Sequence, residues 1–475
     1  MAAMKKKPHV LLVPYPAQGH VVPMLKLAQK LADDHGFTVT VVNLEFIHQK
    51  LVSDATISEH QSISLTAIPN GFELSSVSGQ AESVTKIMEN VENVLPIHLR
   101  TLLDVKKNKR NKSAAGDITW LIGDAFLSAG AFQVAKEMGI KTAAFWTGSA
   151  ATLALLLRIP QLIQDGILDE NGTLINRGMP ICLSKDIPAW QPDEFPWSCQ
   201  PEQFQRFGFK AFSSKPSENS TLFDCFIVNS LYQLEPAAFQ LFPKLLPIGP
   251  LVTNSTSGGN QHNQIPGSFW HQDQTCSTWL DKHPPKSVVY VAFGSTTALN
   301  QKQFQELATG LEMTKRPFLW VIRSDFVNGT GSSGQEFVDG FLERVANRGK
   351  IVEWANQEEV LSHRSTACFV SHCGWNSTSD GLWNGVPFLC WPYFSDQFHN
   401  REAICEAWKV GLKLKAEDED GLVTRFEICS RVEELICDAT IRENASKLRE
   451  NARECVSDGG TSFRNFLSFV EILCS

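Results

Sequence analysis

The amino-acid sequence predicts an α/β protein built as two doubly wound, parallel-sheet halves. Three observations carry this expectation. Short apolar, β-branched runs alternate with longer stretches of helical period, the pattern of buried parallel strands covered by helices on both faces. The alternation occurs twice, before and after a polar stretch at Thr253–Gly267 that holds Asn, Ser, Gly and Gln and few large apolar side chains. That composition reads as a linker. The chain's 475 residues are enough for two large α/β domains.

The first half opens with the apolar run Val10–Val13, then a helix-like stretch to about Ala32. Thr38–Leu44 and Ile63–Ile68 read as the next strands, and Ala81–Lys106 as a long helix. Trp120–Ile122, just before Asp124, and Ala143–Trp146 follow as strands. The alternation then breaks. Pro160–Ser214 is irregular and rich in Pro, Trp and Phe, after which Cys225–Val228 and Leu246–Val252 regain strand character. In the second half Val288–Phe293, Phe318–Ile322, Ile351–Trp354, Cys368–Ser371 and Phe388–Trp391 are strands. Gln301–Met313, Asn376–Trp383 and Asp396–Val410 are helical. A terminal stripe of Phe463, Phe466, Leu467, Val470 and Leu473 has the spacing of a helix packed on the protein body. In open sheets of this kind, ligands bind where strand C-termini meet, so a cleft between the halves is expected.

Composition narrows the function. Hydrophobic residues are 43% and charged residues 20%, as in an ordinary globular protein. The net charge of −8 argues against a nucleic-acid binder. No apolar run approaches the roughly 20 residues that span a bilayer. The run after Lys5–Lys7 is closed by Pro14 and Pro16, too short for a signal-peptide core. The 12 cysteines include no CxxC pair, and Cys368, His372 and Cys373 lack a second ligand pair. Zinc is therefore not expected, and reduced thiols in a cytoplasmic protein are.

Trp354–Gln397 concentrates the chemistry. A strand ending at Ser371, a tight turn at Gly374, an N-cap at Asn376 and a stop at Asn384-Gly385 would present free backbone N–H groups at a helix start. That is an anion site, with His372 and Ser377 as added donors, and a phosphate or diphosphate fits it. Trp354, at a strand end, offers a plane on which a base can stack. The same residues also fit an ordinary turn and a core tryptophan. In the first half, His20 follows the first strand on a loop opening a helix, and Asp124 ends another strand. A histidine backed by a carboxylate is a general base.

The Trp354–Gln397 segment resembles the donor-binding signature of the plant secondary-product UDP-glycosyltransferases, glycosyltransferase family 1. His-Cys-Gly-Trp-Asn-Ser stands intact at His372–Ser377, and the likeness extends to Pro16–His20 and Phe293-Gly294-Ser295. The resemblance implies the GT-B fold, two Rossmann-like doubly wound domains facing across a cleft. Residues 1–250 would form the acceptor-binding domain, 251–272 a linker, and 273–455 the UDP-sugar-binding domain. Residues 456–475 would be a helix packing back on the first domain. The implied reaction is metal-independent transfer of a sugar with inversion, and no metal ligands or other cofactor are expected. His20 and Asp124 would deprotonate the acceptor. Trp354 would stack on uracil, with Gln357 near the ribose. His372, Gly374, the Trp375 backbone, Asn376, Ser377 and Ser295 would meet the diphosphate. Asp396 and Gln397 would bind sugar hydroxyls, and Thr147 would lie near the sugar or its phosphate.

Two positions depart from the family pattern. Asn356 replaces a proline. Asp380 replaces a glutamate that in the family grips the ribose; it is one methylene shorter, and a bridging water or a small helix shift could restore the reach.

By the same resemblance, Gln397 implies UDP-glucose as donor. The aromatic insertion, with Trp190, Phe195, Trp197, Phe204, Phe207, Phe209 and Phe212, points to an apolar or aromatic acceptor such as a phenolic or terpenoid. A cytoplasmic monomer is expected. Two rival readings stand beside this one. The first is a nucleotide-sugar or small-molecule binder without turnover. The second is a nicotinamide-dependent oxidoreductase, suggested by Gly329-Thr-Gly331-Ser-Ser-Gly334, a GxGxxG match that comes too late after its strand and reads as a surface loop.

Overall fold

The computed structural model describes residues 8–52, 61–72, 80–108, 117–176, 178–198, 202–252, 272–295, 297, 299–322, 340–416 and 421–475. The expected linker and the Gly329–Gly334 loop lie outside these residues. The chain divides into two compact units. Met1–Met179, Trp197–Phe269 and Cys455–Ser475 form the first, and Pro180–Pro196 with Trp270–Glu454 form the second.

The first unit holds a seven-stranded parallel sheet of β1 (His9–Val13), β2 (Thr38–Leu44), β3 (Ile63–Ile68), β4 (Ile118–Asp124), β5 (Lys141–Trp146), β6 (Cys225–Val228) and β7 (Leu245–Pro247). Their order is β3-β2-β1-β4-β5-β6-β7, so the crossover from one side to the other falls at β1 and β4. Alternate residues of β1 enter opposite cores, Val10 and Leu12 on one face and Leu11 and Val13 on the other. That two-sided burial is why the strands read as continuous apolar runs rather than alternating ones. The helices that matter for the site are α1 (Gln18–Asp33), α2 (Ala129–Glu137) and α3 (Ala150–Gln164).

The second unit holds a six-stranded parallel sheet of β8 (Val288–Ala292), β9 (Phe318–Val321), β10 (Gly349–Val352), β11 (Thr366–Ser371), β12 (Phe388–Cys390) and β13 (Gly411–Lys413), ordered β10-β9-β8-β11-β12-β13. Its helices include α4 (Gln301–Met313), α5 (Gln357–Ser362), α6 (Trp375–Asn384), α7 (Gln397–Glu402) and α8 (Arg425–Cys437). Helix α9 (Thr461–Cys474) belongs to the first unit.

The structure revises several expectations. The stretch read as one helix over Ala81–Lys106 is two helices joined by a π turn at Asn90–Val94. Pro96 has no N–H to donate into the preceding turn, and Leu95 donates instead to Asn90, one residue wider than an α-helical bond. Strand β13, which the sequence reading does not find, has three residues, the first a glycine, too short to show a period. The buried stripe of α9 is Phe466, Phe469, Val470 and Leu473. Leu467 faces outward, because a period of 3.6 cannot keep it beside both Phe466 and Val470. Ser462 donates to the Gly249 carbonyl at 2.6 Å and Asn465 to that of Pro247 at 2.9 Å. Finally, Pro180–Pro196 sits with the second unit, not within an unbroken first domain. The Trp190 ring lies flat on His399, and Glu194 binds Arg401.

Candidate active site

The first cluster follows from strand order. β1 and β4 are neighbours in register, with Val13 opposite Gly123, so the residues just past their ends meet although 104 positions separate them. His20 lies in the first turn of α1, not on the loop ahead of it, and its N–H reaches the Ala17 carbonyl at 2.9 Å. His20 Nδ1 donates to Asp124 Oδ2 at 2.8 Å. The other carboxylate oxygen accepts the Phe126 N–H at 2.9 Å. Asp124 is 1% exposed and His20 22%. A carboxylate only accepts, so Nδ1 carries the hydrogen and Nε2 the lone pair.

Thr147, just beyond β5, places Oγ1 at 3.1 Å from the same Nδ1. Sequence reasoning expects Thr147 near the sugar or its phosphate, and its hydroxyl lies beside the histidine. The turn that carries it is anchored by Glu235, whose role the sequence did not reveal. Ser149 caps α3, and the buried Glu235 carboxylate takes the Ala150 and Ala151 N–H groups at 2.8 and 2.9 Å. Anionic side chains suit a helix start. Burial nonetheless raises the Glu235 carboxyl, against the pull of Ser230 and the two amides.

The rings of Tyr15 and Phe126 meet the His20 imidazole edge-on at 5.3 and 5.4 Å. Burial and the Asp124 charge both raise the Tyr15 hydroxyl pKa, so it stays protonated. Both rings line a cavity of about 500 Å³, with Met88, Val91 and Phe207 as further apolar walls and Glu89, Arg206 and Lys210 as charged ones. The aromatic insertion contributes less to this cavity than expected. Trp190, Phe195, Trp197 and Phe209 are at most 2% exposed and belong to the core. Phe207 lines the cavity, and the side chains of Phe204 and Phe212 lie outside the described residues.

The second cluster also follows from strand order. β8 and β11 pair with Ala292 opposite Ser371, which sets the Gly294-Ser295 turn beside the His372–Gly374 turn. The left-handed residue of the latter is Cys373, at φ 64°, while Gly374 is extended and caps α6. The cap therefore sits two residues before the expected Asn376. Gly374 is needed for space: a Cβ there would stand 2.5 Å from His372 Nε2, and one on Gly294 would stand 2.7 Å from the same atom. The imidazole tip is thus held between two bare backbones. Burial drops its pKa to about 4, with the Ala292 backbone pulling weakly the other way. His372 is neutral at ordinary pH.

Trp375 is buried at 5%, which leaves its backbone as the part able to meet a ligand. The first N–H groups of α6 have no intrahelical acceptor. Gln357 donates to Ser377 Oγ at 3.1 Å and to Asp380 Oδ2 at 2.8 Å, tying three expected contacts into one set. Asn356 caps α5 by accepting from Glu359 at 3.3 Å, a good reason for a non-proline there. Trp354 and Ser295 are half-buried beyond the ends of β10 and β8. Asp396 and Gln397 begin α7. Gln397 Oε1 accepts the Tyr393 and Phe394 N–H groups at 2.8 and 3.3 Å, so its Nε2 is the remaining polar atom. Asn400 Nδ2 donates both to Asp396 Oδ2 and to the Cys373 carbonyl, each at 2.9 Å. Among the described residues, no three His, Cys, Asp or Glu side chains converge as metal ligands, and no helix is long and apolar enough to cross a membrane.

Known proteins resemble this chain in sequence and fold. The chain is 37% identical to UDP-glycosyltransferase 83A1 of Arabidopsis thaliana, over 98% of this chain and 96% of that protein. Residues 235–453 match the family described as UDP-glucoronosyl and UDP-glucosyl transferase. The chain belongs to the UDP-glycosyltransferase family. It is 32% identical to 7-deoxyloganetin glucosyltransferase of Catharanthus roseus, over 99% of this chain and 97% of that one. The structure of Phytolacca americana UGT2 with UDP-2fluoro-glucose and pterostilbene superposes with a TM-score of 0.80 at 25% identity, covering 98% and 100% of the two chains. This glycosyltransferase accordingly has the two-domain α/β GT-B fold, and its co-substrate is a UDP-sugar.

Proposed function

We propose that this glycosyltransferase moves glucose from UDP-glucose to a hydroxyl of an apolar or aromatic small molecule, inverting the anomeric centre. The observation that carries the reading is the His20–Asp124 pair beside a cavity walled by Tyr15 and Phe126. Nε2 removes the acceptor's hydroxyl proton, and Asp124 stabilises the imidazolium that forms. The acceptor oxygen forms a bond to the anomeric carbon as the bond to the diphosphate oxygen breaks, and UDP leaves with that electron pair. Thr147 steadies the imidazole. The N–H groups at the start of α6, neutral His372, Asn376, Ser377 and Ser295 meet the departing charge as dipoles without a divalent cation. Trp354 stacks on the uracil, and Gln357 and Asp380 hold the ribose. Asp396 accepts from sugar hydroxyls and Gln397 Nε2 donates to them.

The mixed wall of the cavity, with apolar rings near the base and Glu89, Arg206 and Lys210 elsewhere, supports an acceptor that carries polar groups as well as an apolar skeleton. The pterostilbene held by the Phytolacca protein and the 7-deoxyloganetin named for the Catharanthus enzyme are compatible with such a molecule. The test is incubation with UDP-glucose and a panel of phenolic and terpenoid alcohols, followed by mass spectrometry. Added hexose on at least one acceptor is expected. Transfer from UDP-galactose or UDP-xylose faster than from UDP-glucose would overturn the sugar assignment.

A further inference from the structure

Helix α7 has six residues and runs on into a π-helical stretch at Ala403–Ala407, a segment still too short to be stable by itself, yet it starts with the two groups assigned to the sugar. Much of what holds it lies outside the donor motif. Two residues past Gln397, the His399 ring stacks on the Trp190 indole with centroids 4.0 Å apart and planes 8° apart. His399 Nε2 donates to the Pro188 carbonyl at 3.0 Å. Trp190 and His399 are 1% and 3% exposed. The Trp190 backbone is itself fixed, exchanging two hydrogen bonds of 3.0 Å with Ile181. At the far end of α7, Arg401 binds both oxygens of Glu194 at 2.8 and 2.9 Å. From the other side, Asn400 ties the helix to Asp396 and to the Cys373 turn.

We propose that Pro180–Pro196 is a strap that completes the sugar subsite, and that Trp190 is a positioning residue for Gln397 and Asp396. This rests on the reading that these two residues bind the sugar. Telling an equatorial from an axial hydroxyl by hydrogen bonds needs donor and acceptor held to about 0.5 Å. The strap supplies that restraint through the His399 stack and the Glu194–Arg401 pair. The residues assigned to the uridine and diphosphate stand instead past the ends of β8, β10 and β11, on α5 and on α6. Loosening the strap should therefore degrade sugar selection and leave UDP affinity nearly intact.

The experiment measures KM for UDP-glucose and UDP-galactose and the inhibition constant of UDP for Trp190→Ala, Trp190→Phe, Glu194→Gln and Gln397→Ala. Trp190→Ala should raise the UDP-glucose KM by about three- to tenfold, the scale of a lost aromatic pair. It should erode the glucose preference by a similar factor, with UDP inhibition within about twofold. Trp190→Phe, which keeps a ring against His399, should recover most of both. Glu194→Gln should shift the preference the same way by less, and it is the deciding variant if Trp190→Ala fails to fold. An unchanged preference in Trp190→Ala or Glu194→Gln while Gln397→Ala loses it would overturn the strap. So would equal losses of UDP and UDP-glucose binding. An unchanged preference in Gln397→Ala would overturn the sugar assignment beneath it.

Discussion

Replacing Gly374 with alanine is a sharp test of how the donor subsite is built. The backbone there has φ −62° and ψ 144°, open to any residue, so the new methyl group adds no torsional strain. Its effect is steric: the Cβ would stand 2.5 Å from His372 Nε2, where ordinary contact begins near 3.4 Å. The imidazole tip must retreat by about 0.9 Å. Gly294 confines the same nitrogen, so the ring cannot simply turn over in place. A displacement near 1 Å in a group that meets the reacting partner can cost about 10²-fold in rate. Alanine is also a poorer N-cap than glycine, costing up to about 1 kcal/mol of stability. The expected result is a kcat/KM for UDP-glucose lowered by about 10²-fold while Tm falls by only a few degrees. Because both changes act through one ring, His372→Ala combined with Gly374→Ala should be no worse than His372→Ala alone. Near-normal kinetics for Gly374→Ala, or additive losses in the double variant, would refute the idea that these glycines exist to seat His372.

Other expectations follow from the same geometry. His20→Ala should lower kcat on an aliphatic alcohol acceptor by about 10²–10⁴-fold with little change in UDP-sugar affinity; normal turnover would remove His20 as the base. Activity should survive EDTA, and loss on chelation restored by Mg²⁺ or Mn²⁺ would show that backbone dipoles and His372 do not suffice for the diphosphate. Asp380→Ala, which also releases Gln357, should weaken UDP inhibition by about tenfold or more, the scale of a hydrogen bond to a charged group; unchanged inhibition would place the ribose elsewhere. His372 and His399 are both held neutral by burial, with pKa values lowered to about 4. The unfolded chain therefore binds protons that the folded chain refuses, and stability is lost as pH falls from 6.5 toward 4, by roughly 3 kcal/mol for each ring. His399→Phe, which keeps the stack on Trp190, should shift the acid-unfolding midpoint to lower pH, and a midpoint unmoved or raised would contradict this.

The parallel strands were legible because both of their faces are buried, so apolar content alone marks them. The two sheets therefore emerged from the sequence with errors at strand ends and without β13, whose three residues do not read as a strand. What escaped depends on single contacts. The π turn at Asn90–Val94 needs the consequence of Pro96 to be followed one turn upstream. Gly374, not Asn376, caps α6 because Cys373 takes the left-handed conformation, which nothing local predicts for a cysteine. The aromatic insertion read as an acceptor wall, yet its largest rings fill the core. Side-chain type cannot separate the two uses, because an indole is equally apolar in either place. Tyr15 and Phe126, which do wall the cavity, lie singly beside His20 and Asp124 and form no cluster along the chain.

The three histidines show why motif matching reaches only part of the mechanism. His20, His372 and His399 are the same residue set in three different surroundings, which suit them to different tasks. His20 is 22% exposed and paired at 2.8 Å with a buried carboxylate. A proton taken from an acceptor is therefore met by an opposite charge, and the ring can act as a base. His372 is buried between two glycines, where taking up a proton is disfavoured; it can meet a diphosphate as a neutral hydrogen-bonding group. The donor segment Trp354–Gln397 contains a single Lys or Arg, Arg364, and that residue precedes β11, at the end of the strand away from His372. The leaving group would thus be stabilised by oriented dipoles already in place, which need no reorganisation as charge develops. His399 feels the Glu402 charge, but burial outweighs it and holds the ring neutral, and its stack on Trp190 makes it part of the frame. The placement of each ring, rather than its presence in a signature, decides which step it serves.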